Sequence, residues 1–385
     1  MGDRVDYRLT DEHRMLRDMV KRVAAERYGF AVRRAAIANT RGLHHPFWEE
    51  LGRLGVLSAA LPEACGGMGA GPVASMLIMS ALGRHLVLSP YVPTVVCAAG
   101  LLARLGSEVQ CRRHLPPILA GESIVAFACA ESGGDSGLDG IGMQATAAAG
   151  AYRLQGHKGL VVGAAWSKQV LAVARLSGAE SGLAAFLLPM DAPGIRAHHR
   201  RTIDGGSAAE LSFEGVQAPA SSRIGSGDIT EELDRIRDEA IAALCADAAG
   251  SMGALLDATT EYARARKQFG KPIGSFQALQ HRMVDMLVAC EQAASISHHA
   301  ALHLDAEPEQ RRRAVSAAKA LIGKLGRAVA QEAVQIHGGI GITEELDVSH
   351  HFRRLEMFNL QFGSSDQHLR RYSGLIETSA VAQAA

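Results

Sequence analysis

The chain is predicted to be an α+β protein with helices at both ends and a β domain between them. Three observations carry this. Apolar residues recur at helical spacing from Thr10 to about Ser123. From Ile124 to about Gly225 short apolar runs alternate with glycine-rich turns, which is how strands read. Helical spacing returns at Thr230. The expected domains are therefore residues 1–123, an N-terminal helical domain; 124–227, an antiparallel β-barrel or sandwich; and 228–385, a C-terminal helical bundle.

Taken in order, Thr10 is placed to cap a first helix with Asp11 and Glu12 in its first turn, and Leu16, Met19, Val20 and Val23 form its apolar stripe. Pro46 suits the first position of a second helix. Leu61–Gly71 is a glycine-rich loop without a strand before it and a helix after it, so it does not read as a phosphate cradle. A buried helix is expected from about Pro72. Ser107 and Gln110 form a capping box for another, expected to stop at Pro116-Pro117. Ile124–Cys129, Val170–Leu176, Ala184–Leu188 and Leu211–Phe213 read as strands. Leu233, Ile236, Ala240, Ile241 and Leu244 make one helical stripe; Leu321, Leu325 and Val329 make another. The Ala-rich tail after Leu375 is expected to fray.

Composition narrows the function classes. At 385 residues and 48% hydrophobic, the chain can bury a sizeable core and is not a disordered segment. Lys+Arg and Asp+Glu are both 40, for a formal net charge of zero, which argues against nucleic acid as the partner. The six cysteines, at 65, 97, 111, 129, 245 and 290, show neither C-x-x-C pairing nor metal spacing, and a reduced, cytoplasmic setting fits them. The first residues, MGDRVDYRL, lack the apolar run of a signal peptide. No uninterrupted apolar run reaches membrane-spanning length, so no membrane partner is expected. His198-His199, His298-His299 and His350-His351 are adjacent pairs whose side chains diverge, and no metal site is expected from them.

The stretch from Glu261 to Met286, EYARARKQFGKPIGSFQALQHRMVDM, reads as helix, turn, helix. Arg264, Arg266 and Lys267 suit the negative end of the first helix. Gly270, Pro272 and Gly274 break it, and Ser275 is placed to cap the second. The second helix carries an apolar stripe of Leu279, Met283, Met286, Leu287 and Cys290, with Gln277, Gln280 and His281 on its polar side. Arg266 can grip a phosphate with two donors. Phe269 offers a flat face to a ring. An ordinary surface hairpin of helices is the alternative reading of the same residues.

The order R-x-x-F-G-x-P-I-x-x-F-Q-x-x-Q-x-x-x-x-D-M resembles the flavin-binding segment of the acyl-CoA dehydrogenase family. Gln335–Gly341, QIHGGIG, resembles that family's other dinucleotide segment. The resemblance implies the acyl-CoA dehydrogenase fold, FAD as cofactor, an acyl-CoA substrate and an electron-transferring flavoprotein as acceptor. It further implies that Arg266, Phe269, Gln277, Gln335, Gly338 and Gly339 reach the dinucleotide part of a flavin shared with a neighbouring subunit. Glycine at 338 and 339 lets backbone N–H groups come close to phosphate oxygens; a helix C-cap is the alternative. Cys129, Ala130 and Ser136 fall in CAESGGDS, similar to the family's loop beside the flavin ring, with Ala130 in place of a threonine. His157–Val162 aligns with the family's K-x-W-I-T, with Leu160 for the tryptophan and Val162 for the threonine.

The family's base is most often a glutamate 24 residues after the first glycine of the pair. Counting from Gly338 lands on Phe362, which cannot abstract a proton. The alternative family position aligns near Ala240. Glu239 is one residue off, about 100° around a helix. Ile236, Ala242 and Ala243 beside it are expected to desolvate it, and Arg235 to pair with it. Asp366 reads as a cap or flavin-side contact. No catalytic residue is assigned. The Phe362-Gly363 variant looks most like the family's small-subunit branch, typified by the pimeloyl-CoA dehydrogenase small subunit. Three arrangements stay open: a non-catalytic subunit of a heteromer with a paralogous large subunit, a homo-oligomeric dehydrogenase using a relocated carboxylate such as Glu239, and a flavin-dependent oxygenase on the same fold.

Overall fold

The structure is a computed structural model describing residues 7–131, 137–148, 150–178 and 181–384, with side chains to Glu377. Helices α1 (Asp11–Arg27), α2 (Phe30–Asn39), α3 (His45–Arg53), α4 (Gly71–Arg84), α5 (Gly100–Leu105) and α6 (Glu108–Leu119) precede the sheet. The strands are β1 (Val125–Ala128), β2 (Gln144–Ala148), β3 (Ala151–Val162), β4 (Gln169–Ser177), β5 (Leu183–Pro189), β6 (Ile195–Arg201), β7 (Ser207–Pro219) and β8 (Arg223–Ile224). Helices α7 (Thr230–Ala265), α8 (Gln277–Leu302), α9 (Pro308–His337), α10 (Asp347–Phe358) and α11 (Ser365–Ala384) follow, with a two-stranded hairpin, β9 (Lys267–Gln268) and β10 (Lys271–Pro272), between α7 and α8. This is the helix–sheet–helix order the sequence predicts.

By contacts the chain forms two compact units. One comprises residues 1–31, 72–87 and 241–385; the other comprises 32–71 and 88–240. Each unit gathers helices from distant parts of the sequence, and the division falls inside α7.

In the first unit, Thr10 Oγ1 accepts from the His13 N–H at 3.1 Å, capping α1 as expected. A β-carbon on Gly83 would lie 2.0 Å from the Asp247 carbonyl oxygen, and one on Gly250 2.0 Å from that of Ser80. Glycine at both positions lets α4 and α7 cross backbone to backbone. Arg354 locks this core through Asp247, with two bonds of 2.8 Å. On α9 the buried face is Ile322, Gly326, Val329, Ala330 and Ala333, so the stripe lies slightly off the expected one, with Leu321 and Leu325 only half-buried. The tail expected to fray continues α11 as helix to Ala384. By length and composition α7 could cross a bilayer, but its most apolar window is 72% buried within the protein, as in a core helix.

In the second unit, the strands form one sheet in the order β6-β7-β3-β2-β4-β5-β8, with β1 beside β4. The sheet is mixed rather than purely antiparallel: β1 and β2 both run parallel to β4. Glycine-rich turns announce hairpins between sequence neighbours; pairings between distant strands carry no such signal. Phe186, Phe213, Leu154 and Leu211 fill the core against the sheet. The capping box of Ser107 and Gln110 is present, but α6 runs on to Leu119 with both prolines inside its last turn. Arg112 and Arg113, whose carbonyls lose their helical partners to these prolines, lie on the exposed side. Residues Tyr91–Ala99 form a fully buried π-helix, whose Thr94 hydroxyl bonds both the N–H and the C=O of Val125. Pro46 does begin a helix, though α2 precedes it.

Candidate functional site

The helix α7 ends at Ala265, earlier than the cationic run suggests. Arg264 lies in its last turn, whereas Arg266 and Lys267 start the hairpin. The Arg266 N–H still reaches Tyr262 O, while its carbonyl already accepts from Ile273, each at 2.8 Å. The hairpin turns on two residues, Phe269 and Gly270, with φ of +52° and +79°. Turns of this kind favour Asn-Gly, and a bulky ring at the first position is strained. Yet Phe269 is 91% exposed, its only ring neighbour among the described residues being Phe276, edge-on at 6.2 Å. The fold thus presents an apolar ring outward at a conformational cost. Beside it the Arg266 side chain is exposed. Ser275 is not the cap of α8: it sits in a short 3-10 turn and its hydroxyl donates to Pro272 O, which leaves Phe276 at the cap position.

The second segment lies beside the first. Tyr262, four residues before Arg266, stacks on His337 with centroids 4.4 Å apart, and its hydroxyl donates to the His337 carbonyl at 3.4 Å. Gly338 closes α9 with φ +65° and ψ −145°, a conformation reserved for glycine, and its N–H is taken by the helix carbonyls of Val334 and Gln335. Gly338 is therefore the helix cap. Gly339 has no such backbone requirement, and a β-carbon on either glycine would meet nothing within 4 Å. The space there is open to a ligand at Gly339. Gln335, Gln277 and His281 are exposed, and Gln280 donates to Gly274 O. On α8 the buried face is Met286, Ala289, Cys290 and Ala293; Leu287, expected on it, is 44% exposed beside Val284 and Val288, at 55% and 50%.

In the second unit, Cys129–Glu131 are stitched to β3. The fully buried Lys158 ammonium donates to Cys129 O at 3.0 Å and to Glu131 Oε1 at 2.6 Å, and the Gly159 N–H donates to Ala130 O. Burial pushes the Glu131 carboxyl up, but Lys158 and the N–H groups of Met143 and Gly142 outweigh it and hold it below the usual carboxylate range. Ala130 is exposed and offers only a methyl. Leu160 stands in a bulge of β3 with φ +46°, 41% exposed, and Val162 is half-buried. Neither side chain can donate a hydrogen bond. Ser136 lies outside the described residues.

No base is free among the candidates. Glu239 is 14% exposed and accepts from Arg104 at 2.6 Å as well as from Arg235 at 3.3 Å. Arg235 is the partner the sequence predicts; Arg104, from α5, is not legible in it. The carboxylate is thus engaged by two guanidiniums rather than left free in an apolar pocket. Asp366 lies exposed in the first turn of α11, where a carboxylate favours the helix start. Phe362 sits in the turn between α10 and α11 at φ +54°.

Beneath that turn lies a residue the sequence reading missed. Lys319, fully buried on α9, donates to the carbonyls of Phe358 and Gln361 (the latter at 3.0 Å) and sits 3.5 Å from the Phe358 ring centroid. Burial pushes its amine down to about 7. An unfolded chain keeps that proton up to its ordinary range near 10.5, so above pH 7 the unfolded state binds more protons and stability rises with pH. The neighbouring Cys245 thiol, pushed up to about 12, does not titrate in this window. Denaturant midpoints measured from pH 6.5 to 9.5 should rise in the parent, and Lys319→Met should remove part of that rise.

Sequence profiles agree with the geometry. Residues 10–122 match the acyl-CoA dehydrogenase N-terminal domain, 126–216 the middle domain and 235–373 the C-terminal domain. The chain belongs to the acyl-CoA dehydrogenase family, oxidoreductases acting on the CH–CH bond of acyl-CoA. It is 27% identical to the probable acyl-CoA dehydrogenase YngJ of Bacillus subtilis, over 94% of this chain and 97% of that one. It is 30% identical to the acyl-CoA dehydrogenase FadE27 of Mycobacterium tuberculosis, over 86% and 88%. Its fold superimposes on a chain of the ChsE4-ChsE5 complex from Mycobacterium tuberculosis with a TM-score of 0.88, at 27% identity, covering 97% of this chain and 99% of that one.

Proposed function

We propose that this chain is the FAD-binding, base-lacking subunit of a heteromeric acyl-CoA dehydrogenase that desaturates an acyl-CoA thioester between its α and β carbons. The observation that carries this is the contrast between two sites. Arg266, Phe269 and Gly339 are presented outward as a dinucleotide tail would require, whereas the base position holds Phe362. FAD fits the residues present on the tail side: an exposed guanidinium for phosphate, an exposed ring for adenine and an unobstructed glycine. When bound, FAD supplies the acceptor for the hydride leaving the β-carbon. On the sheet side, Ala130, Leu160 and Val162 leave only backbone groups to meet a ring.

The partner is a paralogous subunit that keeps the glutamate. The relative solved as the ChsE4-ChsE5 complex is named for two components, which supports a two-chain arrangement here. The exposed ridge of Val284, Leu287 and Val288 on α8 supports an oligomeric interface on the bundle. Electrons then pass to an electron-transferring flavoprotein, as the family resemblance implies. The six cysteines are free thiols, in keeping with a cytoplasmic setting. Sedimentation of the purified chain with and without the paralogue tests the assembly. Stoichiometric FAD is expected only in an oligomer; a stable monomer holding one FAD per chain would contradict the shared-flavin reading.

A further inference from the structure

The turn from Asn359 to Ser364, which carries Phe362, is held from below by two buried side chains on different helices. Lys319 of α9 binds the carbonyls of Phe358 and Gln361. His368 of α11, 1% exposed, binds the carbonyl of Phe362 through Nε2 at 2.9 Å. A carbonyl only accepts, so His368 Nε2 carries the hydrogen, and Nδ1 lies 3.4 Å from the buried Ser316 hydroxyl. Above the turn, the Ser365 hydroxyl donates to Asn359 Oδ1 at 2.6 Å, and Ser364 and Gln367 cap α11 reciprocally. Three successive demands are met: the end of α10 has its carbonyls satisfied, the strained residue 362 has its carbonyl fixed, and the next helix is started.

This is more apparatus than a connecting turn needs. A buried lysine held by carbonyls, with no carboxylate partner among the described residues, is costly, and so is a phenylalanine in the left-handed region. Both costs fall in the same short turn, whose carbonyls at 358, 361 and 362 are held. The backbone around residue 362 is thus held by side chains from α9 and α11, independently of the side chain that residue 362 displays.

We propose that Lys319 and His368 are positioning residues for the side chain at 362, and that this chain retains a latent proton-abstraction site which Phe362→Glu alone re-arms. The second half of this rests on the reading of residue 362 as the base position; the first half does not.

The test uses the full FAD-loaded chain in four forms: parent, Lys319→Met, Phe362→Glu, and the double variant. Hydrogen exchange at the amides of residues 359–364 reads the clamp without reference to activity. Lys319→Met is expected to speed exchange there roughly tenfold or more, as loss of both of its hydrogen bonds to the turn does, while amides of α7 and α9 keep their protection. Anaerobic bleaching of the flavin band by acyl-CoA reads the latent site. Phe362→Glu is expected to bleach; adding Lys319→Met should cut its limiting rate by about 10²-fold at unchanged half-saturation, the cost of a displaced catalytic group. Unchanged exchange in Lys319→Met, or equal bleaching by the single and double variants, overturns the positioning role. Absence of bleaching in Phe362→Glu, with exchange altered as expected, overturns the latent site and the reading of residue 362 while the clamp stands. If Lys319→Met does not fold, His368→Leu, which frees the Phe362 carbonyl, must raise exchange in the same six residues, and failure to do so overturns the clamp.

Discussion

The chain by itself, loaded with FAD, is expected to leave its flavin band unbleached when mixed anaerobically with short, long or steroid-type acyl-CoA. The α-proton of a thioester does not leave at a useful rate without a positioned carboxylate, and loss of general-base help costs about 10²–10⁴ in rate. The three candidate carboxylates among the described residues are each engaged or exposed. Glu239 lies between Arg104 and Arg235. Glu131 is tied to Lys158 and two backbone N–H groups. Asp366 stands exposed at the start of α11. Phe362 has no proton-accepting atom in its side chain. Mixing with a paralogue that keeps the glutamate should restore bleaching. Rapid bleaching by the chain alone that disappears in Glu239→Gln would install Glu239 as base and end the base-lacking-subunit reading. Bleaching that survives Glu239→Gln would place the base elsewhere.

How far the sequence carried depended on whether a feature is local. The helix–sheet–helix order, the Thr10 cap and the capping box at Ser107 are written within a few residues of themselves, and the structure has them. The two candidate dinucleotide segments are likewise contiguous motifs, and the structure brings them together at Tyr262 and His337. What was not legible is pairing across distance. Nothing near Arg104 announces that it shares Glu239 with Arg235, and nothing near β1 announces a parallel partner in β4. Lys319 reads as one more cation on a helix, because its context on α9 does not reveal that the end of α10 lies over it. Leu287 shows the opposite failure. Periodicity finds apolar residues but not which of them the chain's own core covers.

Arg266→Ala is expected to lose FAD without losing the fold. The guanidinium is exposed, so its removal takes little from the unit's own packing. Against a phosphate it gives two charge-assisted bonds of roughly 1.5–3 kcal/mol each, so affinity should fall by about 10²–10⁴-fold. Phe269 allows a sharper form of the same experiment, because its two roles have opposite signs. At φ +52° the ring strains the hairpin turn, and asparagine adopts that conformation more readily. Phe269→Asn should therefore hold or raise the melting temperature of the flavin-free chain by relieving strain of order 1 kcal/mol. The same change removes the exposed ring on which an adenine would stack, a contact worth about 1–3 kcal/mol. FAD content after gel filtration and the melting temperature of the stripped chain report the two effects separately. Lower FAD retention with an equal or higher melting temperature is the expected pair of results. Unchanged FAD content with a lowered melting temperature, in either variant, would make this segment a structural hairpin and nothing more.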